Sequence, residues 1–133
     1  MKKVMAFGTF DLLHPGHIHY LKNSKKLGDF LVVVIARDST VLKIKNKLPI
    51  NNENTRLQNI IKLEIADKVI LGDKIDKLKV VRDEKPDVLS FGYDQKIPVE
   101  DLISQIDPKI VIKRIDAFKP EIYKSSLLKK SIV

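Results

Sequence analysis

Two of the three histidines in this sequence, His14 and His17, are separated only by Pro15 and Gly16. They close the stretch GTFDLLHPGH, residues 8–17, which follows the apolar run Val4-Met5-Ala6-Phe7. Proline suits the first position of a helix, because the N–H it lacks is one that a helix start leaves unbonded anyway. His14 then falls at the helix cap and His17 in the first turn, and positions three apart share a face. Both rings would flank free backbone N–H groups at the positive end of the helix dipole, where an anion is favoured. Gly8 and Gly16 have no Cβ and let the backbone come close to a ligand. Two imidazoles at an anion site suit phosphoryl or nucleotidyl transfer, in which positioning and stabilisation of developing charge do most of the work. A charge-assisted hydrogen bond from such a ring to a phosphate oxygen is roughly twice as strong as a neutral one.

Other chemistries are open to the same residues. The histidines could be plain cap residues, and Asp11 a loop residue bonded to nearby N–H groups. Asp11, His14, His17 and His19 are also zinc-ligand types. His19, two residues from His17, should point to another face, so we expect it at the surface and expect no metal held by the protein. Neither G-x-G-x-x-G nor the Walker pattern G-x-x-x-x-G-K-[ST] follows the first apolar run.

The residues that position this motif come from a chain of 133 residues, 44% of them hydrophobic, which suits one domain spanning 1–133 with a real core. There is no cysteine, so neither disulfides nor thiolate chemistry enter. No apolar run nears the roughly 18 residues of a membrane helix. The run at the N-terminus is also shorter than a signal-peptide core of about 7–15 residues. We expect a cytoplasmic protein with no membrane partner. The net charge of +8 fits a phosphate-bearing ligand or a lysine-rich solvated surface, with a local cluster at Lys43, Lys45 and Lys47. A basic, non-catalytic nucleic-acid-binding module is the alternative from a different class. Aromatics make up only 6% and form no stripe with basic residues, so we expect no nucleic acid.

Strands are expected at residues 3–7, 31–35, 68–71, 88–91 and 110–115, the second a β-branched run typical of burial on both faces. Helices are expected from Pro15 to about Gly28, from about Ser39, over Leu57–Ile65, from Ile75 to before Pro86, after Pro98, and from a serine cap at Ser125. Strand and helix alternate five times. That predicts an α/β, Rossmann-like, parallel five-stranded sheet with helices on both faces. Ligands bind such sheets beyond the carboxyl ends of the strands, where strand order switches. GTFDLLHPGH, ARDSTVLKIKNK and GYDQ all fall at such ends and should share one cleft.

The motif resembles the first signature of the HxGH nucleotidyltransferase superfamily, which is cytidylyltransferase-like and includes pantetheine-phosphate adenylyltransferases and archaeal FAD synthases. The resemblance implies that His14 and His17 are catalytic. It also implies that Gly8, Thr9, Phe10, Pro15 and Gly16 bind the nucleotide with them. FGYDQ, residues 91–95, resembles Gly-x-Asp segments that line the family's nucleotide pocket, adding Gly92 and Asp94. Tyr123, Ser125 and Ser126 stand where cytidylyltransferases carry a form like RTxGISTS, without its arginine and glycine, and would add base and phosphate contacts. Lys45 and Arg56 match basic residues that reach the triphosphate or the acceptor phosphate.

IARDSTVLKIKNKLPI and GYDQ are most similar to archaeal FAD synthases. This implies transfer of AMP from ATP to FMN with loss of pyrophosphate, assisted by Mg²⁺, in a homodimer. Cytidyl transfer from CTP to glycerol 3-phosphate, or to another small phosphorylated acceptor, is the second expectation. The acceptor brings the nucleophile, so no nucleophilic side chain is needed.

Overall fold

A computed structural model describes residues 1–118. The expected contacts of Tyr123, Ser125 and Ser126, and the expected last helix, lie outside the described residues. The strands are β1 (Lys3–Gly8), β2 (Phe30–Ile35), β3 (Lys68–Leu71), β4 (Val88–Gly92) and β5 (Val111–Ile115). The helices are α1 (Pro15–Lys25), α2 (Asp38–Lys45), α3 (Glu53–Lys62), α4 (Lys79–Glu84) and α5 (Val99–Gln105).

All strand pairs are parallel, in the order β3-β2-β1-β4-β5. The chain winds outward from β1 through β2 to β3, then returns to the other side of β1 for β4. Strand order therefore reverses between β1 and β4, and their carboxyl ends, Gly8 and Gly92, flank the crevice that such a reversal opens.

The central strands β1, β2 and β4 read as near-continuous apolar runs because both faces are covered, whereas the edge strand β5 is mostly exposed. Val4, Ala6, Leu31, Val33 and Ile35 meet Tyr20 and Leu21 of α1 and Ile60 of α3. Met5, Val32, Val34, Leu89 and Phe91 meet Val81 of α4 and Leu102 of α5. One polar seam crosses this core. The Tyr20 hydroxyl donates to the Ser90 carbonyl at 2.5 Å and accepts from the Phe7 N–H at 3.1 Å, while Ser24 and Ser90 bond to each other at 2.7 Å. Burial pushes the Tyr20 phenol far above its usual range, so it stays a neutral bridge between α1, β1 and β4. The seam fixes α1, and with it the histidines, over the β1–β4 boundary.

Two boundaries differ from expectation. The helix expected from Ile75 begins only at Lys79. Asp73 accepts from the N–H groups of Ile75 and Asp76, and Asp76 from that of Leu78, so side chains satisfy the backbone in turns and leave Ile75 96% exposed. The turn expected at residues 51–54 is already the start of α3. Asn52 caps that helix by accepting from Thr55 N–H at 2.9 Å.

Candidate active site

β1 ends at Gly8, and the next residues must turn back under the helix. Phe10 does this with a positive φ of 53° and a side chain only 3% exposed. Its ring lies over Gly8 so closely that a Cβ there would sit 2.6 Å from it. The same ring stands edge-on to His17, with centroids 5.4 Å apart. Phe10 is thus a wedge under the histidine, held in a conformation that costs a non-glycine residue about 1–3 kcal/mol.

His14 is the cap of α1 and His17 the third residue of its first turn. Each imidazole caps the helix through Nδ1. His14 Nδ1 accepts from Gly16 N–H at 3.1 Å, and His17 Nδ1 accepts from His14 N–H at 3.3 Å. A ring nitrogen that accepts is unprotonated, so the proton sits on Nε2 in both rings. The rings stack with centroids 3.8 Å apart, leaving two Nε2–H donors side by side at the helix N-terminus. Burial lowers the His17 pKa, the neighbouring His14 ring lowers it further, and Asp94 opposes both. Gly16 is required for another reason: its Cβ would lie 2.8 Å from His14 Cε1 and 3.0 Å from Nδ1. Gly16→Ala should therefore leave thermal stability near wild type, since alanine favours a helix, but lower turnover about a hundredfold by displacing the His14 ring. Steady-state kinetics beside a melting curve check this.

His17 also predicts a pH dependence. Its folded pKa lies below the ordinary histidine value of about 6.5. Between those values the unfolded chain binds the extra proton, so stability is complete above about pH 6.5 and declines as pH falls through the folded value. Protonated Nδ1 can no longer accept from His14 N–H, which is the structural cost. Urea unfolding at stepped pH should show this decline in the wild type and a flatter curve in His17→Ala.

The crevice, about 980 Å³, is lined by Gly8, Thr9, Phe10, His14, Pro15, Gly16 and His17 from the first loop and by Gly92, Asp94 and Lys96 from the turn after β4. Ile44 and Lys45 from the end of α2 also line it. Lys43 and Lys47 are not among its walls, so one lysine of the cluster reaches the cleft.

Arg56 corrects its expected place. Its side chain is fully buried under the loop, with no open surface for a phosphate. It donates to Thr9 O at 2.8 Å, Asn51 O at 2.9 Å and the Asp38 carboxylate at 2.7 Å. The guanidinium holds the loop that carries Thr9. Asp11 is a second staple, accepting from the Ile50 and Asn51 N–H groups at 2.8 Å each. Burial raises its pKa, but those N–H groups, Arg56 and Lys45 outweigh this and hold the carboxyl below its usual range. His19 is not a free surface residue either. Its Nε2 bonds the Asp116 carbonyl at 3.0 Å, tying α1 to the end of β5.

Two contributors escaped the sequence reading. Gln95 joins the two strand ends, its amide accepting from Gly92 N–H at 2.7 Å and donating to Phe7 O at 2.8 Å. Arg114 on β5 bonds the carbonyls of Gly92, Tyr93 and Gln95. Gln95 carried a faint signal in lying within GYDQ; Arg114, in an alternating strand, carried none.

Among the described residues no three His, Cys, Asp or Glu side chains gather as a metal-holding group. The carboxylates on the crevice wall that are not spent as staples are Asp94 and Asp116. This donor set fits Mg²⁺ arriving on a substrate's phosphates, since Mg²⁺ takes one or two carboxylates and keeps several waters.

A parallel sheet whose order reverses beside two imidazole donors at a helix N-terminus defines an α/β nucleotide-binding enzyme built for phosphoryl-type transfer. The model of the cytidylyltransferase-like family matches residues 5–130, and the chain belongs to this family of nucleotidyltransferases. It is 48% identical to a protein of Thermoplasma volcanium named FAD synthase, over the whole of this chain and 95% of that one. It is 40% identical to a FAD synthase of Picrophilus torridus, over 98% of this chain and 96% of that one. A solved structure described as a lipopolysaccharide core biosynthesis protein of Thermoplasma volcanium superposes with a TM-score of 0.82 at 50% identity, covering 90% of this chain and 99% of that one. A protein of unknown function from Archaeoglobus fulgidus, at 17% identity and a TM-score of 0.72, shares the fold. Among the described residues no helix is long and apolar enough to cross a membrane.

Proposed function

We propose that the protein transfers the AMP unit of ATP to FMN, yielding FAD and pyrophosphate. The observation that carries this reading is the 48% identity, along the whole chain, to a relative named FAD synthase. The site chemistry agrees with it. An oxygen of the FMN phosphate attacks the α-phosphorus in line, forming the new P–O bond as the bond to the bridging oxygen of the β-phosphate breaks. The electron pair leaves with pyrophosphate. ATP enters as its Mg²⁺ complex, the metal offsetting charge on the phosphates. His14 and His17 donate from Nε2–H to phosphate oxygens, and the positive end of the α1 dipole adds to the stabilisation of the charge that develops. Lys45 at the cleft wall suits the acceptor phosphate. Tyr123, Ser125 and Ser126 complete the nucleotide contacts in this reading.

The test offers ATP or CTP with FMN or glycerol 3-phosphate, in all four pairings with Mg²⁺, and follows pyrophosphate. Release with ATP and FMN alone is expected. Release with CTP and glycerol 3-phosphate, and none with ATP and FMN, would reverse the assignment.

A further inference from the structure

β1 and β4 stop pairing before they end. The last paired residues are Ala6 and Ser90, yet β1 runs on to Gly8 and β4 to Gly92. In a parallel ladder the next rung would be a bond from the Gly92 N–H to the Phe7 carbonyl. The Gln95 amide takes its place: Oε1 accepts from Gly92 N–H at 2.7 Å and Nε2 donates to Phe7 O at 2.8 Å. One flat amide offers an acceptor and a donor, the two partners that these backbone groups would otherwise find in each other. One rung earlier the Tyr20 hydroxyl already reaches between the strands, accepting from Phe7 N–H at 3.1 Å and donating to Ser90 O at 2.5 Å. The Phe7 and Phe91 rings still stack, with centroids 5.3 Å apart, so the missing rung keeps its side-chain contact while its backbone bond is gone. Phe7, Gly92 and Gln95 all line the crevice, which opens where the strands part.

We propose that Gln95 is a positioning residue, a spacer that keeps the carboxyl ends of β1 and β4 apart and so sets the width of the crevice between them. The Gly92 N–H and the Phe7 carbonyl each need a partner, so without the amide the sheet can zip one rung further. That rung would draw the turn after β4 toward the loop that follows β1, which carries His14 and His17. The distance between those two walls decides whether a reacting phosphorus sits under the two imidazoles. Gln95 is itself held from behind: its N–H donates to Gly92 O at 3.2 Å, and its carbonyl accepts from Arg114 at 2.8 Å. The sheet gives up one ladder bond and gains two side-chain bonds, with an open cleft as the result. This inference rests on the reading that nucleotidyl transfer takes place in the crevice.

The test compares the wild type with Gln95→Ala by nuclear magnetic resonance and by kinetics. In isotopically labelled wild type the Gly92 nitrogen should show a scalar coupling, across its hydrogen bond, to the side-chain carbonyl carbon of Gln95. In Gln95→Ala it should couple to the carbonyl carbon of Phe7 instead, the signature of the new rung. The kcat for AMP transfer at saturating ATP and FMN should fall about a hundredfold, the scale of loss that a misplacement of about 1 Å brings. Gln95→Ser, equally unable to reach across, carries the same two readouts if Gln95→Ala fails to fold. A coupling to Phe7 already present in the wild type, no such coupling in the variant, or the coupling with kcat near the wild-type value would each overturn the proposal. A wild-type protein that releases no pyrophosphate with either nucleotide fails the transferase reading instead, and the coupling then still reports whether the strands close.

Discussion

Replacing His14 by Asn should leave the protein folded and lower AMP transfer about a hundred- to a thousandfold. That range is what removing one donor to developing transition-state charge costs in comparable sites. The choice of variant matters because His14 has two jobs. Its Nδ1 caps α1 by accepting from Gly16 N–H, and its Nε2–H faces the site. Alanine removes both, adding a stability loss of about 0.5–2 kcal/mol to the kinetic one. Asparagine is among the best caps, so it restores the first job and not the second. His17→Ala should cost a similar factor in rate. The double variant should be little worse than either single one, because side chains that act as a unit are not additive. Melting curves and kcat for His14→Asn, His14→Ala and His17→Ala check this. If His14→Asn recovers both stability and rate, the ring is a cap and nothing more.

Arg56→Ala should be the most destabilising single substitution at this end of the molecule, by about 3–5 kcal/mol. The guanidinium is fully buried, and removing it takes a partner at once from the Asp38 carboxylate, which keeps only the Glu53 N–H, and from the carbonyls of Thr9 and Asn51. Arg56→Lys should recover less than half of the loss, because Nε, Nη1 and Nη2 reach three separate partners that one ammonium cannot serve in the same geometry. Urea unfolding gives the numbers. If Arg56→Ala unfolds like the wild type and only weakens ATP binding, the arginine faces phosphate as the sequence resemblance implies.

The contrast between these residues shows what the sequence could tell. His14, Gly16 and His17 were legible because their geometry is local. Proline sets the helix start, the cap and first turn follow, and the cap hydrogen bonds of the two imidazoles span no more than three residues. The central strands β1, β2 and β4 were legible because a sheet covered on both faces writes itself as apolar runs. Arg56, Gln95 and Arg114 act across 47, 88 and 22 residues of chain respectively, and no local pattern encodes which carbonyl they meet. The helix misplaced at Ile75 failed for a related reason. Apolar spacing suggested a helix there, while Asp73 and Asp76 took the same backbone N–H groups into turns. Alternation of strand and helix implied a reversal of strand order; that it falls between β1 and β4 depends on which edges pair.

The most direct test of the central claim follows the α-phosphorus of ATP. With ATP labelled at that atom, FMN and Mg²⁺, the label should move quantitatively into a flavin dinucleotide, the pyrophosphate should be unlabelled, and His14→Asn should slow the transfer without changing the product. Label that stays in ATP while CTP and glycerol 3-phosphate react, or label that lodges covalently on the protein, would contradict direct transfer of AMP to FMN.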